Sequence, residues 1–139
     1  MRKRTKARES VLQMLYQADV TDDPIGMILE RYWKERKRNP EVIEFANEII
    51  EGASERLKEI DGVISEYSEN WDINRMPIID RNILRLATYE LLFMDDIPPK
   101  VTIDEAVELA NRYGSMNSGK FVNGVLDKIM MLGKKQGDE

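Results

Sequence analysis

Apolar residues recur along this chain at intervals of three and four, not in alternation, so nearly every segment reads as an amphipathic helix. Ala7, Val11, Met14, Leu15 and Ala18 share one face and predict a first helix from about Thr5 to Asp19. Asp22-Asp23-Pro24 then reads as a cap with proline in the first turn of a second helix. Ile25, Ile28, Leu29 and Tyr32 form its apolar face, with Trp33 at the edge. Asn39-Pro40 repeats the start signal, and Ile43, Ala46, Ile50, Ala53 and Leu57 mark a long third helix. Ile60, Ile64 and Tyr67 suggest a fourth, offset near Gly62.

Trp71 and Asp72-Ile73-Asn74 fall in a connector, and Pro77 opens a fifth helix through Ile79, Ile83, Leu86, Ala87 and Leu91. Asp95-Asp96-Ile97-Pro98-Pro99 breaks it, because proline removes a donor and restricts its neighbour. Thr102-Ile103-Asp104-Glu105 has the form of a capping box for a sixth helix. That helix ends at Tyr113-Gly114, where glycine can take the left-handed terminating conformation. Asn117 or Ser118 caps the last helix, whose stripe is Phe121, Val122, Val125, Leu126 and Ile129. With no strand pattern, no repeat and no low-complexity linker, the expectation is an all-α protein. About seven helices form one compact domain, with subdomains of about 1–60 and 61–139 meeting at a soft boundary.

Composition narrows the chemistry. Cysteine and histidine are both absent, which excludes disulfides, Cys/His zinc sites, a cysteine nucleophile and histidine-based triads. A glycine-rich phosphate loop is also missing. Asp95-Asp96 reads as a solvated loop, and Asp104, Glu105 and Glu108 as acidity favoured by a helix start. The eight methionines are scattered as core fillers. The expectation is therefore a non-catalytic protein without metal or cofactor. No apolar run reaches the roughly 20 residues of a membrane span, and the segment after the basic start is amphipathic, so the expected location is the cytoplasm.

The net charge of −5 hides an asymmetry. Arg2, Lys3, Arg4, Lys6 and Arg8 crowd into the first eight residues with no acidic neighbour. The remaining sixteen basic residues face all twenty-six acidic ones, a net of −10. A cationic arm on an acidic body suits phosphate contact, or is simply a solubilising terminus. If the arm binds nucleic acid, Arg8 sits on the helix surface while Arg2 and Lys3 stay loose until they order on a partner.

Tyr16, two turns beyond Arg8, can stack on an unpaired base or pack as an ordinary helix tyrosine. Ser118-Gly119-Lys120-Phe121 combines a helix start, which favours anions, with a cation and an aromatic ring. The bland alternative is a capped helix with Phe121 in the core. Arg85 lies between Leu84 and Leu86, at the apolar boundary, where it can pair with a carboxylate, snorkel or meet phosphate.

The segment Trp71–Leu92, the runs Ile97-Pro98-Pro99-Lys100-Val101 and Asp104–Ala110, and above all Lys120-Phe121-Val122-Asn123-Gly124-Val125-Leu126-Asp127-Lys128 resemble the NusB family of transcription antitermination factors. Ala7-Arg8-Glu9 and Leu15-Tyr16-Gln17 extend the resemblance to the front, while Asp19–Pro40 carries little of it. The resemblance implies two packed helical bundles. It also implies binding of boxA RNA, a single-stranded element of nascent ribosomal RNA transcripts, together with NusE, a small-subunit ribosomal protein, in a complex that helps RNA polymerase read through terminators.

By the resemblance, the RNA surface comprises the arm, Tyr16, Arg85, Asn117, Ser118, Gly119, Lys120 and Phe121, and the NusE surface Tyr16 and Asp80. The family often carries an acidic or other polar residue where Asn117 stands. Monomer and homodimer both stay open, the latter with the RNA surface hidden between copies. Related helical modules fused to RNA methyltransferases need a second domain for which this chain has no room, so a free-standing adaptor is expected.

Overall fold

The computed structural model describes residues 2–69 and 71–137, with side chains described as far as Met131. These residues form seven α-helices, one 3-10 turn and no strand. The helices are α1 (Lys3–Thr21), α2 (Ile25–Lys34), α3 (Pro40–Glu55), α4 (Leu57–Tyr67), α5 (Ile78–Phe93), α6 (Pro99–Tyr113) and α7 (Ser118–Gly137), with the turn at Ile73–Arg75 between α4 and α5.

The anticipated stripe on α1 is buried from Ala7 to Leu15, but Leu12, Arg8 and Ser10 are buried as well. A helix buried on more than one side lies in the middle of the molecule. α1 packs on α2, α3 and α5, and α5 in turn packs on α3, α4, α6 and α7. Buried side chains from Ala7 to Ile129 form one contiguous core that includes members of all seven helices. Cross-links fix the directions. Arg8 bonds Glu90 and Asp19 bonds Arg81, so α1 and α5 are antiparallel. Thr5 bonds Glu105 and Glu9 bonds Arg112, so α1 and α6 run the same way.

Several boundaries differ from the periodicity reading. The Asn39 side chain caps α3 by accepting from Glu41 N–H, with Pro40 at the first helical position, as expected. The break after α3 falls at Arg56, not near Gly62, and Leu57 already belongs to α4. That turn brings Ile60 and Ile64 into the core with α5 and α7. At the α1–α2 junction no aspartate side chain caps the start of α2. Asp22 closes α1 in the left-handed region (φ 59°), and the Pro24 carbonyl receives the first bonds of α2.

The expected capping box at Thr102 is absent. α6 starts three residues earlier at Pro99, since proline suits a first helical position. Thr102 and Glu105 therefore stand inside the helix, where Thr102 donates to the buried Glu90 carboxylate and Glu105 faces Thr5 and Arg8. Gly114 ends α6 in an extended conformation (φ −94°, ψ −166°), not a left-handed one. A Cβ there would lie 2.5 Å from Ser118 Oγ and 2.8 Å from the Ala110 carbonyl, so close approach of the next helix requires this glycine.

Gly52 marks a second close approach. A Cβ on it would fall 2.2–2.5 Å from the Tyr89 ring, which packs in turn on Phe93. Gly52→Val should destabilise the protein by about 1–3 kcal/mol by overpacking. Adding Tyr89→Ala should recover part of that loss in urea unfolding, whereas a purely additive cost would show that the ring is not the obstacle.

Candidate nucleic-acid interface

The predicted site residues divide into those that reach solvent and those that hold the elements carrying them. Arg8 belongs to the second group, which corrects the expectation of a surface cation. It is 2% exposed, and its Nε and Nη2 donate to both oxygens of Glu90, at 2.8 and 2.7 Å. Glu90 Oε1 also accepts from the Thr102 hydroxyl at 3.0 Å. Glu105 lies 3.7 Å from Arg8 Nη1 and accepts from Thr5. The guanidinium sits 5.3 Å from the Phe45 ring centroid. With its fork on the Glu90 carboxylate and its side chain enclosed, Arg8 is out of reach of a phosphate in solvent.

Arg85 is likewise a tie between helices. Nε and Nη2 meet the two oxygens of Asp61 on α4 at 2.8 and 2.9 Å, while Nη1 reaches Asp19 at 3.1 Å and Asn82 at 3.0 Å. Arg81 and Asn82 bond the same Asp19 oxygen. Of the readings open for Arg85, the structure selects the carboxylate pair. Asp80 and Ser118 are also interior. Asp80 is 4% exposed and Ser118 1%, and the Ser118 hydroxyl donates to Asp80 Oδ1 at 2.6 Å. Asp80 therefore offers no face to a partner protein, because it is committed to joining the starts of α5 and α7. Gly119 is buried, with Asn111 Oδ1 2.3 Å from where its Cβ would stand.

This interior scaffolding presents an outer surface. Asn117 contributes the carbonyl that accepts the Phe121 N–H at the head of α7. Asn117 and Lys120 are exposed, and Met116 between α6 and α7 is 97% exposed. Phe121 is half-buried and meets Trp71 edge-on, ring centroids 5.6 Å apart. The two readings of Phe121 thus merge, since one part of it packs while another faces out.

Tyr16 is 41% exposed. Seven residues separate it from Glu9, roughly 20° short of two turns, so both lie on one outer stripe of α1 with Gln13 and Val20. Glu9 accepts from Arg112 and from the Tyr113 hydroxyl. That bond raises the Tyr113 pKa above the ordinary phenol value, because ionisation would place two negative charges together. Beside the stripe runs a groove of about 570 Å³ between α1 and α2, lined by Tyr16, Val20, Arg31, Tyr32 and Arg36 among others.

The arm stands apart from the head of α7. α1 begins at Lys3, so Lys3, expected to be loose, is already helical, and among the described residues only Arg2 precedes the helix. Lys3 pairs with Glu41 at 3.1 Å, Arg4 covers the Phe45 ring at 4.5 Å, and Lys6 is exposed. Arg2 lines a cleft with Val101 and Asp104, near the start of α6, whereas Ser118 packs against Gly114 at its end. At 1.5 Å per residue, the two cationic sites lie roughly 15–20 Å apart along α6. An extended strand can reach both, but a single phosphate cannot.

Sequence reasoning did not anticipate Glu90, Asp19 and Asp61 as anchors of the arginines, nor Trp71 as part of the surface. Trp71 had a signal in hindsight, a large aromatic residue in a polar connector.

Known proteins resemble this chain throughout its length. A family model described as the NusB family matches residues 5–131. The transcription antitermination protein NusB of Syntrophus aciditrophicus is 44% identical over 139 residues, all of this chain and 86% of that protein. The protein of the same name from Anaeromyxobacter sp. (strain Fw109-5) is 50% identical over 128 residues, 91% and 89% of the two chains. Among solved structures, T. maritima NusB superposes with a TM-score of 0.86 at 49% identity, covering 92% of this chain and 90% of that one. A crystal structure of antitermination factors NusB and NusE in complex with dsRNA superposes with a TM-score of 0.87 at 31% identity, covering 95% and 98%.

Proposed function

This chain belongs to the NusB family, and from that premise we propose that it is a non-catalytic transcription antitermination adaptor. It binds boxA-type single-stranded RNA in nascent ribosomal RNA transcripts together with NusE, and so helps RNA polymerase read through terminators in the cytoplasm. The observation that carries the RNA contact is the head of α7. Buried Ser118 is bonded to buried Asp80, which holds exposed Lys120 and half-exposed Phe121 in place on a rigid helix start. A cation beside an aromatic ring suits an unpaired nucleotide, the cation for phosphate and the ring for the base. Asn117, Tyr16 and the arm cations Arg2, Lys3, Arg4 and Lys6 complete the RNA surface. Arg8, Arg85, Ser118 and Gly119 support it from inside. The groove beside Tyr16 serves the protein partner, because it joins an exposed aromatic to polar walls of both charges. No helix among the described residues is long and apolar enough to cross a membrane.

Titration of labelled boxA-type RNA, single-stranded and as a duplex, with and without NusE, tests this reading. Affinity should fall with salt and rise with NusE. Binding indifferent to sequence and partner would remove the specific function. Replacing Arg2, Lys3, Arg4 and Lys6 by alanine should flatten the salt dependence by up to about 3 in log K against log salt, at about 0.7 per phosphate contact. An unchanged slope would leave the arm outside the RNA surface. Sedimentation of the free protein and of its RNA complex decides whether a homodimer covers that surface.

A further inference from the structure

Trp71 is 52% exposed although its backbone is held firmly on both sides. Its N–H donates to the Ser68 carbonyl at 3.3 Å, and its own carbonyl accepts from the hydroxyl of buried Ser68 at 3.1 Å. On the other side, Asp72 accepts from Asn74 N–H at 2.9 Å and caps the 3-10 turn. The connector thus positions an indole that it does not bury. The indole meets Phe121 at an interplanar angle of 61°. One flat base cannot lie against both rings at that angle, since stacking needs parallel planes, but two successive splayed bases can each take one ring.

The surrounding charge favours RNA over an apolar protein partner. Exposed Lys120 adjoins Phe121, and exposed Arg75 belongs to the same connector as Trp71. Of the connector's carboxylates, Glu69 is paired with Lys128, and Asp72 is turned to the backbone N–H of Asn74.

We infer that Trp71 and Phe121 form a two-plane stacking platform that takes two successive unpaired bases of the bound RNA. This rests on the RNA-binding reading and adds a contact to it. Stacking of this kind tolerates any base, so Trp71 contributes affinity and strand placement more than sequence choice.

The test uses the full chain and a single-stranded boxA-type oligoribonucleotide. Trp71→Leu keeps an apolar neighbour for Phe121 but removes the stacking face, and affinity should fall roughly tenfold. Trp71→Phe should restore most of it, with the helical circular dichroism and unfolding midpoint of both variants unchanged. The chain has two tryptophans, so Trp33→Phe leaves Trp71 as the sole indole, and its fluorescence should be quenched at RNA saturation. Full affinity in Trp71→Leu, while the parent binds RNA, overturns the platform and leaves the RNA reading intact. So does a loss seen only when NusE is present, which makes Trp71 a protein contact. A loss without quenching assigns Trp71 to holding Phe121 instead. A folded parent that binds no RNA overturns both readings together.

Discussion

Arg8→Ala is expected to lower the stability of this protein by about 3–5 kcal/mol, because it leaves the Glu90 carboxylate buried without its counter-charge. Glu90 is fully enclosed, so water cannot replace the two guanidinium bonds, and the Thr102 hydroxyl alone compensates little. Arg8→Lys should be nearly as damaging, since an ammonium cannot reproduce a forked bond to both oxygens. Replacing both partners, Arg8→Met with Glu90→Leu, should recover most of the loss, because no charge is then stranded. Urea unfolding monitored by circular dichroism measures the series. If Arg8→Ala costs under about 1 kcal/mol, the pair does not anchor α1 to α5. RNA affinity of the folded fraction should change little, since Arg8 does not reach the surface.

Arg85→Ala should cost about 2–4 kcal/mol of stability, somewhat less than the Arg8 change because the Arg85 side chain and its partners Asp19 and Asp61 keep 11–24% exposure. The loss removes the tie between α4 and α5 and leaves Asp19 shared by Arg81 and Asn82 alone. The informative readout is a contrast. Unfolding midpoints should drop while the RNA affinity of folded protein stays within about threefold, the reverse of what removal of a phosphate contact gives. A stable variant with tenfold weaker RNA binding would return Arg85 to the RNA surface. Asp61→Asn should weaken the same tie with no change at any RNA-contacting residue.

The helical class was legible because it depends on local spacing. A 3.6-residue period places Ile83, Leu86 and Ala87 on one face whatever they pack against, and Asn39-Pro40 starts a helix by its own chemistry. Boundaries were less legible where two local signals competed. Thr102 and Glu105 have the spacing of a capping box, yet Pro99 can start a helix equally well. A buried carboxylate twelve residues before Thr102 decided between them.

The candidate site followed the same division. Residue type and the resemblance marked Tyr16, Asn117, Lys120 and Phe121, and all four reach solvent at least in part. They marked Arg8, Arg85, Asp80 and Ser118 with equal force, yet Arg8, Asp80 and Ser118 are buried and Arg85, mostly covered, is bound to carboxylates. An arginine on a helix carries the same sequence signal whether it faces a phosphate or a carboxylate. Only the partner separates the two, and Glu90 lies 82 residues from Arg8, Asp61 24 residues from Arg85. The gap between the arm and the head of α7 was invisible for the same reason, since it depends on α1 running antiparallel to α5 and alongside α6. The sequence by itself determined where helices form and which residue types are available for RNA, because both follow from short-range periodicity and side-chain chemistry. The tertiary structure alone decided which cations are spent on buried carboxylates and which remain for a ligand, because charge pairing in a low-dielectric core is set by contacts between residues far apart in the chain.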